Sequence, residues 1–200
     1  MAVGTALAWP GVPADLVLAA TVLAVPLVTL ATYPPARHVP ASAAAAMFPV
    51  ALVGVPLGLL GAIRAEYGRE LVLMLLVTVW VSDTAQFYVG TWFGRHRLAP
   101  RVSPKKSVEG AVGGLLAGMA VSVAPGRMWL PTLGAPALAA FGAALVGLGI
   151  AGDLFESLLK RSAEVEDSSA LIPGHGGLLD RIDALLFVTP GAFVMLRLLL

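Results

Sequence analysis

Long apolar stretches alternate with short polar ones along almost the whole chain. Six stretches approach the roughly 20 residues that a helix, rising about 1.5 Å per residue, needs to cross a hydrocarbon core of about 30 Å. These stretches are about 14–33, 41–62, 70–93, 110–125, 132–152 and 184–200. The pattern predicts an all-α fold, a polytopic transmembrane helical bundle of about six spans.

The composition agrees with this class of protein. Hydrophobic residues make up 58% of the 200 residues and charged residues 12%, whereas a soluble domain has about 45–50% and about 25%. The chain has no cysteine, which excludes a disulfide scaffold, a thiolate metal site and a cysteine nucleophile. With a formal net charge of +1 we expect no nucleic-acid partner. Residues 1–13 lack a basic start before their first apolar run, so we expect no signal peptide.

The charged residues are concentrated in two segments, 94–109 and 153–183. The first has five basic residues and one acid, and this excess of Lys and Arg predicts that it lies on the cytoplasmic side of the plasma membrane. Spans four and five then return the chain to the same side, so both segments meet at a cytoplasm-facing polar site. We therefore expect two regions: 1–69 with N-terminal spans, and 70–200 as a catalytic transmembrane domain with these two segments as cytoplasmic loops.

One acidic residue, Asp83, lies inside the otherwise apolar run 71–94. A carboxylate near the middle of a span costs about 2.5–3.5 kcal/mol on insertion scales, so such residues usually face a polar cavity or a partner. The alternative is that the helix breaks here and Asp83 caps a new helical segment that begins at Thr84. Both hold together if the broken helix end is itself an ion site, as in transporters.

Acidic and basic residues in 153–183 recur at helical spacing. Asp153, Glu156 and Lys160 stand at i, i+3 and i+7 and would share one face of a helix. Asp180 and Asp183 are three residues apart and would also share a face. Two or three carboxylates that converge beside basic side chains suit Mg²⁺, which binds through one or two carboxylates together with substrate phosphates. The basic side chains that would neutralise the remaining phosphate charge are Lys160, Arg161 and Arg181.

Two further segments are candidate phosphate-binding loops. The segment 173–177 is rich in glycine, so its backbone N–H groups can approach phosphate oxygens, and His175 stands at its centre. Its alternative interpretation is a solvated connector. The segment 103–110 carries Lys105 and Lys106, which either only set the topology or also capture phosphate from the cytoplasm. No Walker-type glycine-lysine motif occurs, which excludes a P-loop ATPase.

Three separate blocks form a longer pattern over about 80–200. With x for any residue, they are Ser82-Asp83-Thr84-Ala85-x-Phe87-x-x-Gly90 with Phe93-Gly94; Ser103-Pro104-x-Lys106-Ser107-x-Glu109-Gly110 with Gly113-Gly114; and Ser157-x-x-Lys160-Arg161, Asp167-Ser168 and Pro173-x-His175-Gly176-Gly177-x-x-Asp180-Arg181-x-Asp183. In this order the blocks resemble those of the phosphatidate cytidylyltransferases, or CDP-diacylglycerol synthases. The first 70 residues match that family only as generic spans.

The resemblance implies the reaction CTP + phosphatidate → CDP-diacylglycerol + pyrophosphate, a step of phospholipid biosynthesis. It also implies a Mg²⁺-dependent, multi-pass membrane enzyme that is often a homodimer. The nucleophile in that reaction is a phosphate oxygen, which is already ionised at pH 7, so no general base is needed. Catalysis would then consist of positioning and of charge neutralisation at the α-phosphorus of CTP.

The resemblance also assigns roles to individual residues. The metal-binding carboxylates would be Asp153 and Asp180, with Asp83 and Asp183 in support. The phosphate contacts would be Lys106, Lys160, Arg161 and Arg181. The residues expected to carry catalysis are Asp153, Asp180, Lys160 and Arg181, and the other expected substrate-binding residues are Ser103, His175, Gly176 and Gly177. The chain departs from the family pattern at Glu166, where a lysine usually precedes the aspartate.

Three other functions stay open from the sequence alone. A CTP-dependent polyprenol or dolichol kinase-like enzyme would phosphorylate a hydroxyl group and would need one more residue as its base. A transporter would fit an acidic residue in a broken span, although the charged motifs all lie in the second half and form no inverted repeat. A non-catalytic membrane scaffold is the third alternative.

Overall fold

Helices make up most of the computed structural model, which describes residues 14–32, 38–165 and 179–200. Among these residues, five helices are long and apolar enough to cross a membrane. They are Val39–Tyr67, Arg69–Phe93, Val108–Trp129, Ala135–Ser162 and Ile182–Leu199. The remaining predicted span corresponds to helix α1, Ala14–Thr32. The prediction of an all-α, polytopic membrane bundle is confirmed.

The chain divides into two compact units, Met1–Gly68 and Arg69–Leu200. In the first unit, α1 is followed by α2 (Val39–Pro49), a π-helical turn (Val50–Gly54) and α3 (Val55–Tyr67). The π-helical turn lies between Pro49 and Pro56. Because a proline ring clashes with the carbonyl four residues earlier, a wider turn relieves the clash without ending the helix. Helix α3 ends at Tyr67 and is followed by Gly68, whose φ of 91° glycine adopts readily.

The second unit consists, in its described part, of four helices and a short β-hairpin. In chain order these are α4 (Arg69–Phe93), β1 (Arg97–Ala99), β2 (Ser103–Ser107), α5 (Val108–Trp129), α6 (Ala135–Ser162) and α7 (Leu179–Leu199). The strands are antiparallel, with Arg97 opposite Ser107 and Ala99 opposite Ser103. Helix α5 packs against α4 and α6, and α6 packs against α7.

The boundaries of the predicted loops differ from those of the structure. The predicted loop 94–109 contains the β-hairpin, and the predicted loop 153–183 begins inside α6, which stays helical to Ser162. Helix α6 continues past its apolar stretch because charged side chains line one face, where Glu156 and Lys160 form an ion pair one turn apart. Hydropathy therefore marks the end of the membrane-compatible part of this helix, and not the end of the helix itself.

Helix α5 presents a face of small residues to its neighbours. These residues recur every fourth position and are buried: Gly110, Gly114, Gly118, Ser122 and Gly126. A Cβ atom on Gly114 would overlap the Gln86 side chain of α4, and one on Gly118 would overlap Val146 of α6. Close approach of backbones over small residues is a common way of packing helices in membranes. This packing of α5 against α4 and α6 places the C-terminal ends of α4 and α6 and the N-terminal end of α5 at the same end of the unit.

Candidate active site

Three carboxylates from two helices converge at this end of the second unit. Asp153 and Glu156 belong to α6 and Asp183 belongs to α7. Each offers a carboxylate oxygen, and these oxygens all lie within 4.8 Å of one another. We call these three residues the acidic cluster. Hard oxygen donors at such separations fit the coordination of one divalent cation.

The residue before Asp153 explains how the two helices come so close. A Cβ atom on Gly152 would lie 2.8 Å from the backbone oxygen of Asp183 and 3.1 Å from the Phe187 side chain. Only a glycine at this position leaves the α7 backbone in place. Close by, the rings of Phe155 and Phe187 are 5.4 Å apart between centroids and extend the apolar contact between α6 and α7.

Two lysines neutralise part of the charge of the acidic cluster. Lys106, on β2, donates from Nζ to Oδ2 of Asp153. Lys160, on α6, lies with its Nζ 2.7 Å from Oε2 of Glu156, a side chain that is only 6% exposed. Both lysines are themselves largely buried, at 18% and 23% exposed side chain. Solvent and salt therefore screen the Lys160–Glu156 pair much less than a surface ion pair, whereas the Asp153 side chain of the other pair is 39% exposed.

Asp83, on α4, lies within electrostatic range of Asp153, Asp183 and Lys106. Helix α4 is continuous from Arg69 to Phe93, so the hypothesis that the span breaks at Asp83 and that Asp83 caps a new helix is wrong. The helix continues because its polar side chains bond within it. Gln86 Nε2 donates to Oδ1 of Asp83 and to Oγ of Ser82, both at 3.1 Å.

The base of the β-hairpin is held by Glu109, in the first turn of α5. Its carboxylate accepts the backbone N–H groups of Arg95 and His96 at 3.1 and 3.2 Å, and it lies 2.6 Å from Nδ1 of His96. Ser107 caps α5, since its Oγ accepts the N–H of Gly110 at 3.1 Å. A Cβ atom on Gly94 would lie 2.9 Å from this Oγ. Several residues of the first two sequence blocks thus serve to anchor the hairpin.

The turn of the hairpin is held by α6. Arg161 Nε donates to the backbone oxygen of Val102 at 2.6 Å. Val102 lies between the two strands, and Arg161 belongs to the last turn of α6. The hairpin is therefore attached at its base and at its turn.

The other predicted site residues are placed less completely. Ser103 begins β2 and is half-buried. Asp180 and Arg181 belong to the first turn of α7, three and two residues before Asp183, and their side chains are outside the described part. His175, Gly176, Gly177 and Glu166 lie outside the described residues. For all of these residues the assigned roles stay predictions.

The structure also adds residues that the sequence reasoning did not assign to the site. Helical spacing predicts Glu156 on the same face as Asp153, and its position three residues later is the signal that marks it as a further candidate metal ligand. Glu109 belongs to the second sequence block, whereas Gln86 stands at a variable position of the first. The partners of both are known only once the helices and the hairpin are in place.

Carboxylates flanked by lysines at one end of membrane-spanning helices are typical of a membrane enzyme that binds phosphate groups together with a divalent cation. A model of the cytidylyltransferase family matches residues 2–199. The chain belongs to this family.

The chain is also similar to individual curated proteins. It is 37% identical to the phosphatidate cytidylyltransferase of Thermotoga maritima over 170 residues, which are 77% of this chain and 60% of that protein. It is 50% identical to the phosphatidate cytidylyltransferase of Pseudomonas aeruginosa over 121 residues, 60% of this chain and 45% of that protein. An uncharacterized Escherichia coli protein, YnbB, is 43% identical over 131 residues, 65% of this chain and 43% of that protein. The chain spans about half the length of the curated relatives it matches.

Proposed function

We propose that the chain is a phosphatidate cytidylyltransferase, which joins CTP and phosphatidate to CDP-diacylglycerol and releases pyrophosphate. The observation that carries the proposal is the acidic cluster with Lys106 and Lys160 against it, at the end of membrane-spanning helices. Such a site suits a triphosphate that must meet a lipid phosphate at the membrane surface. The names of the Thermotoga and Pseudomonas relatives support the same reaction.

The donor set of the acidic cluster fits Mg²⁺, because all three residues offer carboxylate oxygens and their oxygens lie within 4.8 Å of one another. Asp153, Glu156 and Asp183 would hold the ion, with Asp83 and Asp180 in support. Bound there, Mg²⁺ would supply positive charge to the triphosphate of CTP.

The protein's own residues would bind and orient the two substrates. The attacking phosphatidate oxygen is ionised at neutral pH, so no side chain needs to remove a proton. Lys106, Lys160 and Arg181 would neutralise phosphate oxygens, and Ser103 and the glycine-rich segment 173–177 would contribute hydrogen bonds. Binding both substrates in line accelerates the reaction by positioning.

We place the site on the cytoplasmic side of the plasma membrane. The site end of the second unit carries eight basic residues in its described part: Arg95, Arg97, Arg101, Lys105, Lys106, Lys160, Arg161 and Arg181. The opposite end carries three: Arg69, Arg127 and Arg197. Such an asymmetry is typical of the cytoplasmic side, where CTP is available. The family resemblance further implies a homodimer.

The proposal is tested by incubating the purified protein with Mg²⁺, phosphatidate in mixed micelles and radiolabelled CTP. We expect pyrophosphate and labelled CDP-diacylglycerol, and we expect Asp153→Asn to abolish both while the protein still inserts into membranes. Glu70→Gln is the matched control, since Glu70 lies at the opposite end of α4, where its side chain is 43% exposed and pairs with Arg69. Full turnover by Asp153→Asn would show that Asp153 is not part of the active site.

The same assay separates the alternative enzyme. With a polyprenol in place of phosphatidate, a kinase-like enzyme would form polyprenyl phosphate and CDP. That result, together with no release of pyrophosphate from CTP when phosphatidate is supplied, would replace the proposed function.

A further inference from the structure

The β-hairpin is too short to hold its own geometry. Its strands have three and five residues, and their register shifts between Arg97 and Ala99. An isolated two-stranded hairpin is at best marginally stable in water. The position of the hairpin must therefore depend on its attachments to the helices.

Lys106 lies between the two points of attachment. Glu109 and Ser107 hold the base of the hairpin on one side, and the bond from Arg161 to Val102 holds the turn on the other. The Lys106 ammonium group reaches Asp153 of the acidic cluster across 47 positions of sequence. Movement of the turn would therefore move Lys106 relative to the carboxylates.

The chemistry of Arg161 suits such an attachment. The guanidinium is planar and keeps its charge, and its Nε–H donates in a fixed direction to the Val102 oxygen. Because the donor is charged, the bond is stronger than one between neutral groups. The sequence resemblance suggests a phosphate contact for this residue, whereas the bond that it makes in the structure is to the hairpin.

We propose that Arg161 is a positioning residue that acts through Lys106: it fixes the hairpin turn on α6 so that the Lys106 ammonium group stands against Asp153. The proposal rests on the proposed function in so far as Lys106 is taken to contact substrate phosphate. If Arg161 instead contacted substrate phosphate directly, it would act independently of Lys106.

A double-mutant cycle in pyrophosphate release distinguishes these roles. We expect Arg161→Gln and Lys106→Gln each to lower kcat/KM for CTP by about 10- to 100-fold, since a displaced contact group costs about that much. We expect the double variant to be no worse than Lys106→Gln alone, within about twofold. Losses that multiply in the double variant would show that Arg161 acts independently, and would overturn the proposal.

A second measurement does not depend on activity. The chain has no cysteine, so Arg101→Cys, in the exposed hairpin turn, can carry a single nitroxide label. We expect the electron paramagnetic resonance spectrum to show a more mobile label when Arg161→Gln is added. Arg127→Gln, which removes a similar charge at the opposite end of α5, is the matched control and should change neither mobility nor turnover. An unchanged label mobility with Arg161→Gln would contradict the attachment.

The two measurements also separate this proposal from the proposed function. If the unmodified protein releases no pyrophosphate, the proposed function fails, and label mobility alone decides whether Arg161 holds the hairpin. If the label becomes mobile but the kinetic losses multiply, the attachment exists and the action through Lys106 is refuted.

Discussion

Glu156 shows how much a single side chain contributes to the site. It is 5% exposed and shares the acidic cluster with Asp153 and Asp183, and its Oε2 pairs with Lys160. A carboxylate so deeply buried is costly unless cations or hydrogen bonds compensate its charge. The ion pair with Lys160 compensates part of this charge, and the position of Glu156 in the acidic cluster supports its proposed role in holding a cation.

At the scale of single residues, we predict that Glu156→Gln weakens metal binding. The substitution keeps the shape of the side chain and removes its charge, so the cluster would attract Mg²⁺ less strongly. We expect the Mg²⁺ concentration for half-maximal pyrophosphate release to rise by at least about tenfold. Glu164→Gln, an exposed acid just beyond α6, serves as the control. An unchanged Mg²⁺ requirement in Glu156→Gln would exclude Glu156 as a ligand.

At the scale of elements, the distance between α6 and α7 decides whether the cluster forms. The two helices meet at Gly152, where no side chain separates Asp153 from Asp183. Helix α5 fits between α4 and α6 in the same manner, through its small residues. Glycine in these helices therefore serves close packing, even though it lowers helix propensity.

We predict that Gly152→Ala and Gly147→Ala, both in α6, have opposite effects. The added Cβ at Gly152 would press on the Asp183 backbone, so we expect a loss of roughly 1–3 kcal/mol in stability and a large loss of turnover. Apart from its chain neighbours and the adjacent turns of its own helix backbone, nothing lies within 4 Å of a Cβ at Gly147. There alanine should leave turnover unchanged and add up to about 1 kcal/mol through helix propensity. Thermal unfolding in detergent and pyrophosphate release measure both effects. Equal behaviour of the two variants would contradict the packing argument.

At the scale of the whole molecule, the second unit is polar at one end and largely apolar along its helices. Its exposed side chains include large apolar ones on α4, such as Trp80, Phe87 and Trp92. In a multi-pass membrane protein these faces contact lipid. Such contact would hold the site end at the membrane surface, where the proposed substrates, a water-soluble nucleotide and a lipid headgroup, could both reach it.

We predict the topology from the charge asymmetry of this unit. Arg101→Cys lies at the site end, and Met128→Cys, at an exposed position, lies at the opposite end of α5. In intact bacteria, a membrane-impermeant maleimide should label Met128→Cys, and it should label Arg101→Cys only after permeabilisation. The reverse labelling pattern would place the site outside the cell and exclude cytoplasmic CTP as its substrate.

The sequence by itself determined the features that depend on neighbours along the chain. Apolar stretches of sufficient length gave the spans, because burial of backbone polar groups in lipid requires helices. Helical spacing placed Asp153, Glu156 and Lys160 on one face, because three or four residues make one turn. Hydropathy did not determine where the helices end, since α6 extends ten residues into the predicted loop as a charged helix.

Only the tertiary structure decided which distant residues meet. Lys106 and Asp153 are 47 positions apart, and Val102 and Arg161 are 59 apart. Their contacts depend on how closely the helices pack, and that distance is set by clashes that a few glycines avoid. Hydropathy and spacing describe each helix alone and carry no information about these distances, so the partners of Lys106 and Arg161 became visible only once the helices were packed.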